Sequence, residues 1–159
     1  MSAIGYFQGV VTDYLRANRA TFVNTECCIQ LNEGANPDTS GPHWYCDAVA
    51  IYLPLHETYL CEVSYAKGLG ALGRRLSAWA EHWRQVRAAL TRDCGIGADW
   101  SVQPWVFVPS DLKHQFSKLT AKIPIGAAPN QMPVPKVTTL EEVLPWKYPS
   151  WNREHHGNE

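Results

Sequence analysis

The sequence predicts an α/β fold with a mixed sheet flanked by helices, and three features predict it. Residues 21–65 alternate between β-branched or apolar runs and clusters of turn formers, which is strand spacing. Residues 68–93 then carry Leu69, Leu72, Leu76, Trp79, Trp83, Val86 and Leu90 three and four apart, the signature of a helix with one apolar face. A further strand-like run, "WSVQPWVFV", follows that helix, so a strand–helix–strand crossover is expected.

The elements follow in order. "YFQGVVTDYLRANR" (6–19) places Phe7, Val10, Val11, Tyr14 and Leu15 at helical spacing and opens the chain with an amphipathic helix. A first strand is expected over 21–32, ending in the turn-forming "NEGANPDTSGP". A second runs from about His43 to Leu53, and "PLHE" turns the chain into a third from about Thr58 to Tyr65. The long helix and a fourth, buried strand come next, then a short helix in "SDLKHQFSKLTAKI" capped by Ser110 or Asp111. "PIGAAPNQMPVPK" reads as loop or extended arm because proline cannot donate to a ladder. Thr139 and Glu142 have capping-box spacing ahead of one or two helical turns, and Trp146 and Trp151 are expected to pin the arm to the domain. The predicted organisation is one α/β domain over 1–122 and a Pro- and Trp-rich arm over 123–159 packed on it, with a disordered end.

With 159 residues, 45% apolar and 18% charged, the chain suits a globular domain that builds its core without staples. No apolar run reaches the roughly 18 residues that cross a bilayer, and no secretory signal opens the chain, so no membrane partner and a cytoplasmic location are expected. The five cysteines include no CxxC pair and read as reduced, packed thiols. A net charge of −1 excludes a strongly basic protein, yet residues 67–92 hold six Lys or Arg against one acid, Glu81, a local positive patch.

The chemistry concentrates in "HWYCDAVAIYLPLHETYLCEVSYAK" (43–67). Asp47 and Glu62 sit inside two apolar strands where aliphatic residues are expected, and period-2 alternation allows both on one face of the sheet. An ionised carboxylate inside a sheet costs several kcal/mol unless it is paired or bound to a cation. Two close together repel, so at least one pKa rises unless a divalent ion neutralises both. Hard oxygen ligands with room for water suit Mg²⁺ or Mn²⁺.

These residues resemble the PD-(D/E)XK nuclease-like superfamily, over roughly residues 6–109. The resemblance implies a restriction-endonuclease-like α-β-β-β-α-β core with a four-stranded mixed sheet. It implies that Asp47 and Glu62 are metal ligands, with Glu26 in "NTECC" as an additional acid and the backbone carbonyl of Val63 as a further ligand. The family's Glu-x-Lys is here Glu62-Val63-Ser64, and Lys67, five residues past Glu62, stands as the displaced catalytic lysine. The implied activity is Mg²⁺- or Mn²⁺-dependent hydrolysis of DNA or RNA, DNA being the expected substrate. Asp47, Glu62, Lys67 and Glu26 form the catalytic set, and Arg75 and His82, seven apart on the long helix, contact phosphates. A homodimer or a protein partner is compatible with it. The alternatives are an inactive nuclease-like fold that binds nucleic acid or protein, and an interaction protein working through its Trp-rich tail.

Overall fold

The structure, a computed structural model, describes residues 3–31, 43–65 and 68–151. Helix α1 (Ala3–Leu15) buries Val11 and Leu15, one turn apart, and then turns through Asn18, whose Oδ1 accepts the Ala20 N–H. Strand β1 (Thr21–Gln30) pairs antiparallel with β2 (His43–Tyr52), which pairs antiparallel with β3 (Glu57–Val63). A 3₁₀ turn, Leu53–Leu55, joins β2 to β3 and ends at His56, whose φ is 53°. His56 stacks on Trp100 with centroids 4.5 Å apart, a tertiary contact that holds this left-handed residue in place.

The chain then crosses through α2 (Gly70–Glu81) and α3 (Trp83–Cys94) to β4 (Ser101–Val108), parallel to β3. After α4 (Lys113–Thr120) it returns as β5 (Lys136–Thr139), parallel to β4. The sheet therefore has five strands in the order β1-β2-β3-β4-β5, not four. Pro104 is tolerated inside β4 because β5 pairs only from Trp105 onward.

One face of the sheet packs on α2, α3 and α4 through Val49, Leu60, Val102 and Val106. All seven residues of the expected helical stripe, Leu69 to Leu90, are buried there. The helix itself is not continuous: it breaks at His82, the residue between α2 and α3, whose φ/ψ of −110°/26° leave the helical range. Trp79 and Trp83 on either side of the break are both fully buried, so the apolar stripe runs through it. Gly73 permits close approach of α2 to α4, since a Cβ there would stand 2.7 Å from Leu119 Cδ1. The other face carries Ala48, Ala50, Cys61, Trp105 and Phe107, covered by α1 and by Leu140 and Val143 from the segment after β5.

The Pro-rich segment expected to be an arm thus supplies a strand. Pro135 sets the entry into a four-residue β5 too short to announce itself by alternation. The capping box is present, with the Glu142 carboxylate accepting from the Thr139 N–H and hydroxyl, and it starts the 3₁₀ turn Leu140–Val143. Ser110 and Asp111 do not cap α4. They lie in a 3₁₀ turn, and the Ser110 N–H goes to Glu141 Oε2 at 2.7 Å. Trp151 does pin the tail, its Nε1 donating to the Arg16 carbonyl at 3.0 Å, whereas Trp146 points to solvent, 76% exposed. The end of the tail, expected to be disordered, lies outside the described residues.

Candidate acid-pair site

The register of β2 and β3 puts Asp47 opposite Glu62, but the ladder between them stops one pair earlier, at Ala48–Cys61. The cause is a jog shared by two strands. Along β2, Cys46 and Val49 join the same core although they are three residues apart, so strict alternation fails between them. Along β1, Val23 packs on one face and Cys27 and Ile29 on the other, and between them Glu26 has a φ of 52°. Glu26 stands at the register position facing Asp47, between the Thr25–Ala48 and Cys27–Cys46 pairs. Bulges of this kind bend strands and re-aim side chains. Here the jog parts β2 from β3 and lets a side chain replace a ladder bond.

That side chain is Asp47. Its Oδ2 accepts the Val63 N–H at 2.8 Å, and its Oδ1 accepts Gln8 Nε2 from α1 at 2.9 Å. The neighbouring Cys46 thiol donates to the Ala48 and Cys61 carbonyls, satisfying backbone acceptors at the split. Cys46 and Cys61 are fully buried, and burial pushes both thiols up in pKa, so they pack as small neutral groups as expected.

Glu62 is 4% exposed and reaches toward α2, where Arg75 Nη1 donates to its Oε1 at 2.7 Å. The same nitrogen donates to the Tyr45 carbonyl at 2.7 Å, so one guanidinium corner ties β2 and β3 together beyond the last ladder pair. The two carboxyl groups line one cavity. Burial, then the nearby Asp47, pushes the Glu62 carboxyl up to about 9, and Arg75 offsets this only in part. Burial works against the Arg75 charge as well, but Glu62 and Asp47 more than restore it. Burial and Asp47 thus favour the protonated form of Glu62, and Arg75 favours the ionised one.

Around the acids opens a cavity of about 360 Å³, lined by Gln8, Val63, Ser64, Tyr65, Leu72 and Arg75 besides the acids themselves. Two carboxyl groups against one guanidinium leave a deficit of one positive charge once both acids ionise. Hard oxygens in an open cavity with that deficit fit a divalent cation of the Mg²⁺ or Mn²⁺ kind. Asp47 and Glu62 would supply the carboxyl oxygens for it, and three of those four oxygens already accept from Gln8, the Val63 N–H and Arg75.

The remaining sequence-predicted residues are placed less centrally. Glu26 is exposed in its left-handed position, and among the described residues no third Asp, Glu, His or Cys joins Asp47 and Glu62 in a metal-ligating group. Lys67 lies outside the described residues. His82 stands at the helix break with Nδ1 2.8 Å from Gln85 Oε1, away from the acid pair's cavity. Arg92 donates to the Gln30 carbonyl at 2.7 Å and pairs with Asp93. Arg75 faces Glu62 instead of standing on a solvent flank, because it follows Leu72 by three positions and so shares the apolar stripe. Gln8 had a comparable signal: it precedes Val11 and Leu15 by three and seven positions, a polar residue in line with a buried stripe.

No protein-family model matches the chain, and no curated protein does either. Seven chains of solved structures match it. One, the crystal structure of a protein of unknown function, AF1548, is 18% identical with a TM-score of 0.40, over 91% of this chain and 59% of that one. This chain thus spans less than two thirds of that neighbour, and at such a TM-score the likeness carries no argument.

Proposed function

We propose that this protein is a divalent-cation-dependent phosphodiesterase acting on a nucleic-acid strand, DNA before RNA, with Asp47 and Glu62 at its centre. The observation that supports this reading is the convergence of two carboxyl groups from adjacent strands at a break in the sheet, inside a cavity of about 360 Å³. A structural ion pair needs one acid and one base; here a second acid is brought to the first, and a jog in two strands is what brings it.

A bound Mg²⁺ or Mn²⁺ supplies Lewis-acid polarisation of a phosphodiester and a water acidic enough to attack it. The chain's own residues do the rest. Gln8 and the Val63 N–H fix the Asp47 carboxyl in one orientation, and the Val63 carbonyl adds a neutral oxygen. Arg75, with its side chain 34% exposed, holds Glu62 and presents its outer N–H groups to the cavity, where they can take the charge of a phosphate. In this reading Arg75 provides at the acid pair the positive charge that Ser64 does not.

The test is cleavage of end-labelled DNA and RNA by the full chain with Mg²⁺ or Mn²⁺ and with chelator. Cation-dependent cleavage that Asp47→Asn and Glu62→Gln each abolish is the expected result. A folded protein that binds nucleic acid without cutting it favours the second reading, an inactive binding module. The specific observation on that side is the Arg75–Glu62 pair, which gives Glu62 a partner without any metal.

A further inference from the structure

A second cavity, of about 350 Å³, lies where the C-terminal end of α1 meets the β2–β3 hairpin, β4 and β5. It shares no lining residue with the acid-pair cavity. Its walls are aromatic. Tyr14 stands edge-on to Trp105 at 80° and to Tyr148 at 88°, and Tyr59 meets Trp105 at 63° with centroids 4.9 Å apart. Trp105, stacked on Phe107 and buried, is the floor of this box, and the half-buried rings of Tyr14, Tyr59 and Tyr148 stand around it.

The polar groups of this box are few and placed apart. Lys136 reaches over it from β5, its Nζ 3.9 Å from the Trp105 centroid and 5.3 Å from that of Tyr59. Among the described residues no carboxylate pairs with this ammonium. Asn18 and Thr21 line the mouth, and Asn18 Oδ1 is already taken by the Ala20 N–H, which leaves its amide nitrogen as a donor. Glu57 lines the cavity too, accepting the Tyr59 hydroxyl. Aromatic walls, a cation without a counter-charge, neutral donors beside it and one carboxylate acceptor together describe a ligand. It is a flat ring that stacks, an anionic group that takes the ammonium, and an N–H for the acid.

We infer that this cavity binds a mononucleotide, with its base among Tyr14, Tyr59 and Tyr148 and its phosphate on Lys136, whose ammonium caps the buried Trp105 ring. The volume is at the lower end of the range for small-molecule pockets, about 300–1,000 Å³, which suits a single nucleotide and not a folded segment of protein. An organic cation is the poorer match because the Trp105 face already carries the ammonium of Lys136. A base with an exocyclic amine is preferred, since Glu57 offers it an acceptor. The inference stands on residues separate from the acid pair and does not require that pair to be catalytic.

The experiment is a titration of the full chain with AMP, adenosine and inorganic phosphate, read by calorimetry and by the Trp105 indole N–H signal in a nitrogen-edited NMR spectrum. AMP is expected to bind, to move that signal, and to bind more tightly than either adenosine or phosphate alone. Lys136→Gln, at an exposed position, should weaken AMP by about tenfold, as the loss of one charge-assisted contact does, while Lys136→Arg keeps most of the affinity. Circular dichroism of each variant establishes that it is folded. The inference is overturned if AMP leaves the Trp105 signal unmoved, if Lys136→Gln binds AMP as well as the parent, or if phosphate alone binds as tightly as AMP.

Discussion

Arg75 Nη1 stands 2.7 Å from Glu62 Oε1 and also donates to the Tyr45 carbonyl, so a single guanidinium corner closes the gap that the β2–β3 ladder leaves open. The contact joins α2 to both strands at the point where the sheet parts. Glu62 is nearly inaccessible, whereas Arg75 is partly wet, and the energetic weight of the pair lies on the acid side.

Removing the guanidinium leaves a buried carboxyl and a strand carbonyl without their donor. Arg75→Ala is expected to cost about 2 kcal/mol, below the usual figure for a fully buried pair because the arginine is partly solvated. Arg75→Lys should recover part of this, a point donor reaching one of the two acceptors. Urea unfolding of the three proteins measures both effects.

The raised Glu62 carboxyl makes stability depend on pH in a definite direction. Its folded value is about 9 against an ordinary 4.5, so the unfolded chain loses this proton first as pH rises. Glu62's share of stability is complete below pH 4.5 and is lost progressively as pH climbs through about 9. Unfolding free energies at about pH 5 and about pH 8 should therefore differ, with the protein weaker at the higher pH, and Glu62→Gln should shrink that difference. In the proposed function a divalent cation would take the place of the proton. Stabilisation by Mn²⁺ should grow from pH 6 to pH 8 in the parent and vanish in Glu62→Gln, as thermal unfolding would show.

Gln8 acts on the site only through Asp47. Gln8→Ala deletes one donor to Oδ1 and should cost about 1 kcal/mol while lowering any phosphodiesterase activity by loosening the carboxyl. A parallel loss of activity in Gln8→Ala and stability unchanged within error would contradict the hydrogen bond as the cause.

The segment after β4 is docked on the domain through β5 and the capping box. Thr139 supplies the side-chain half of the capping box, Glu142 the other, and it sits in the fifth strand, so Thr139→Ala should destabilise by about 1 kcal/mol. Trp146→Ala, at a solvent-facing position, should leave stability within about 0.5 kcal/mol of the parent. Chemical denaturation of the two variants separates a docked segment from a loose arm.

Much of the architecture was legible because each strong periodic signal has a local cause. The stripe from Leu69 to Leu90 is buried throughout, and the four longer strands lie where the alternating runs put them. β5 was not legible: four residues behind a run of prolines carry too little alternation to outweigh the loop signal, and only pairing with β4 makes them a strand. At the site, two acids in apolar strands announced themselves, but simple alternation does not describe their meeting: Asp47 sits in the jog and bonds to Gln8 of α1, whereas Glu62 reaches Arg75 of α2. Their partners did not announce themselves. Arg75 and Gln8 each looked like a polar residue on a helix, and what singles them out is their alignment with buried neighbours, which gains meaning only when the opposing carboxyl is known. Glu26 shows the converse. Its register places it across from Asp47, but the left-handed backbone that creates the jog leaves it exposed, and alternation counting cannot foresee a residue that breaks alternation.

The most direct test of the acid pair's role is diffraction from a crystal soaked in Mn²⁺ above pH 7, with data collected to locate the anomalous scatterer. The account predicts one peak within coordination distance of both Asp47 and Glu62 carboxyl oxygens, absent from Glu62→Gln crystals soaked alongside. A parent crystal with no peak there, and with Glu62 still closed on Arg75, would contradict it.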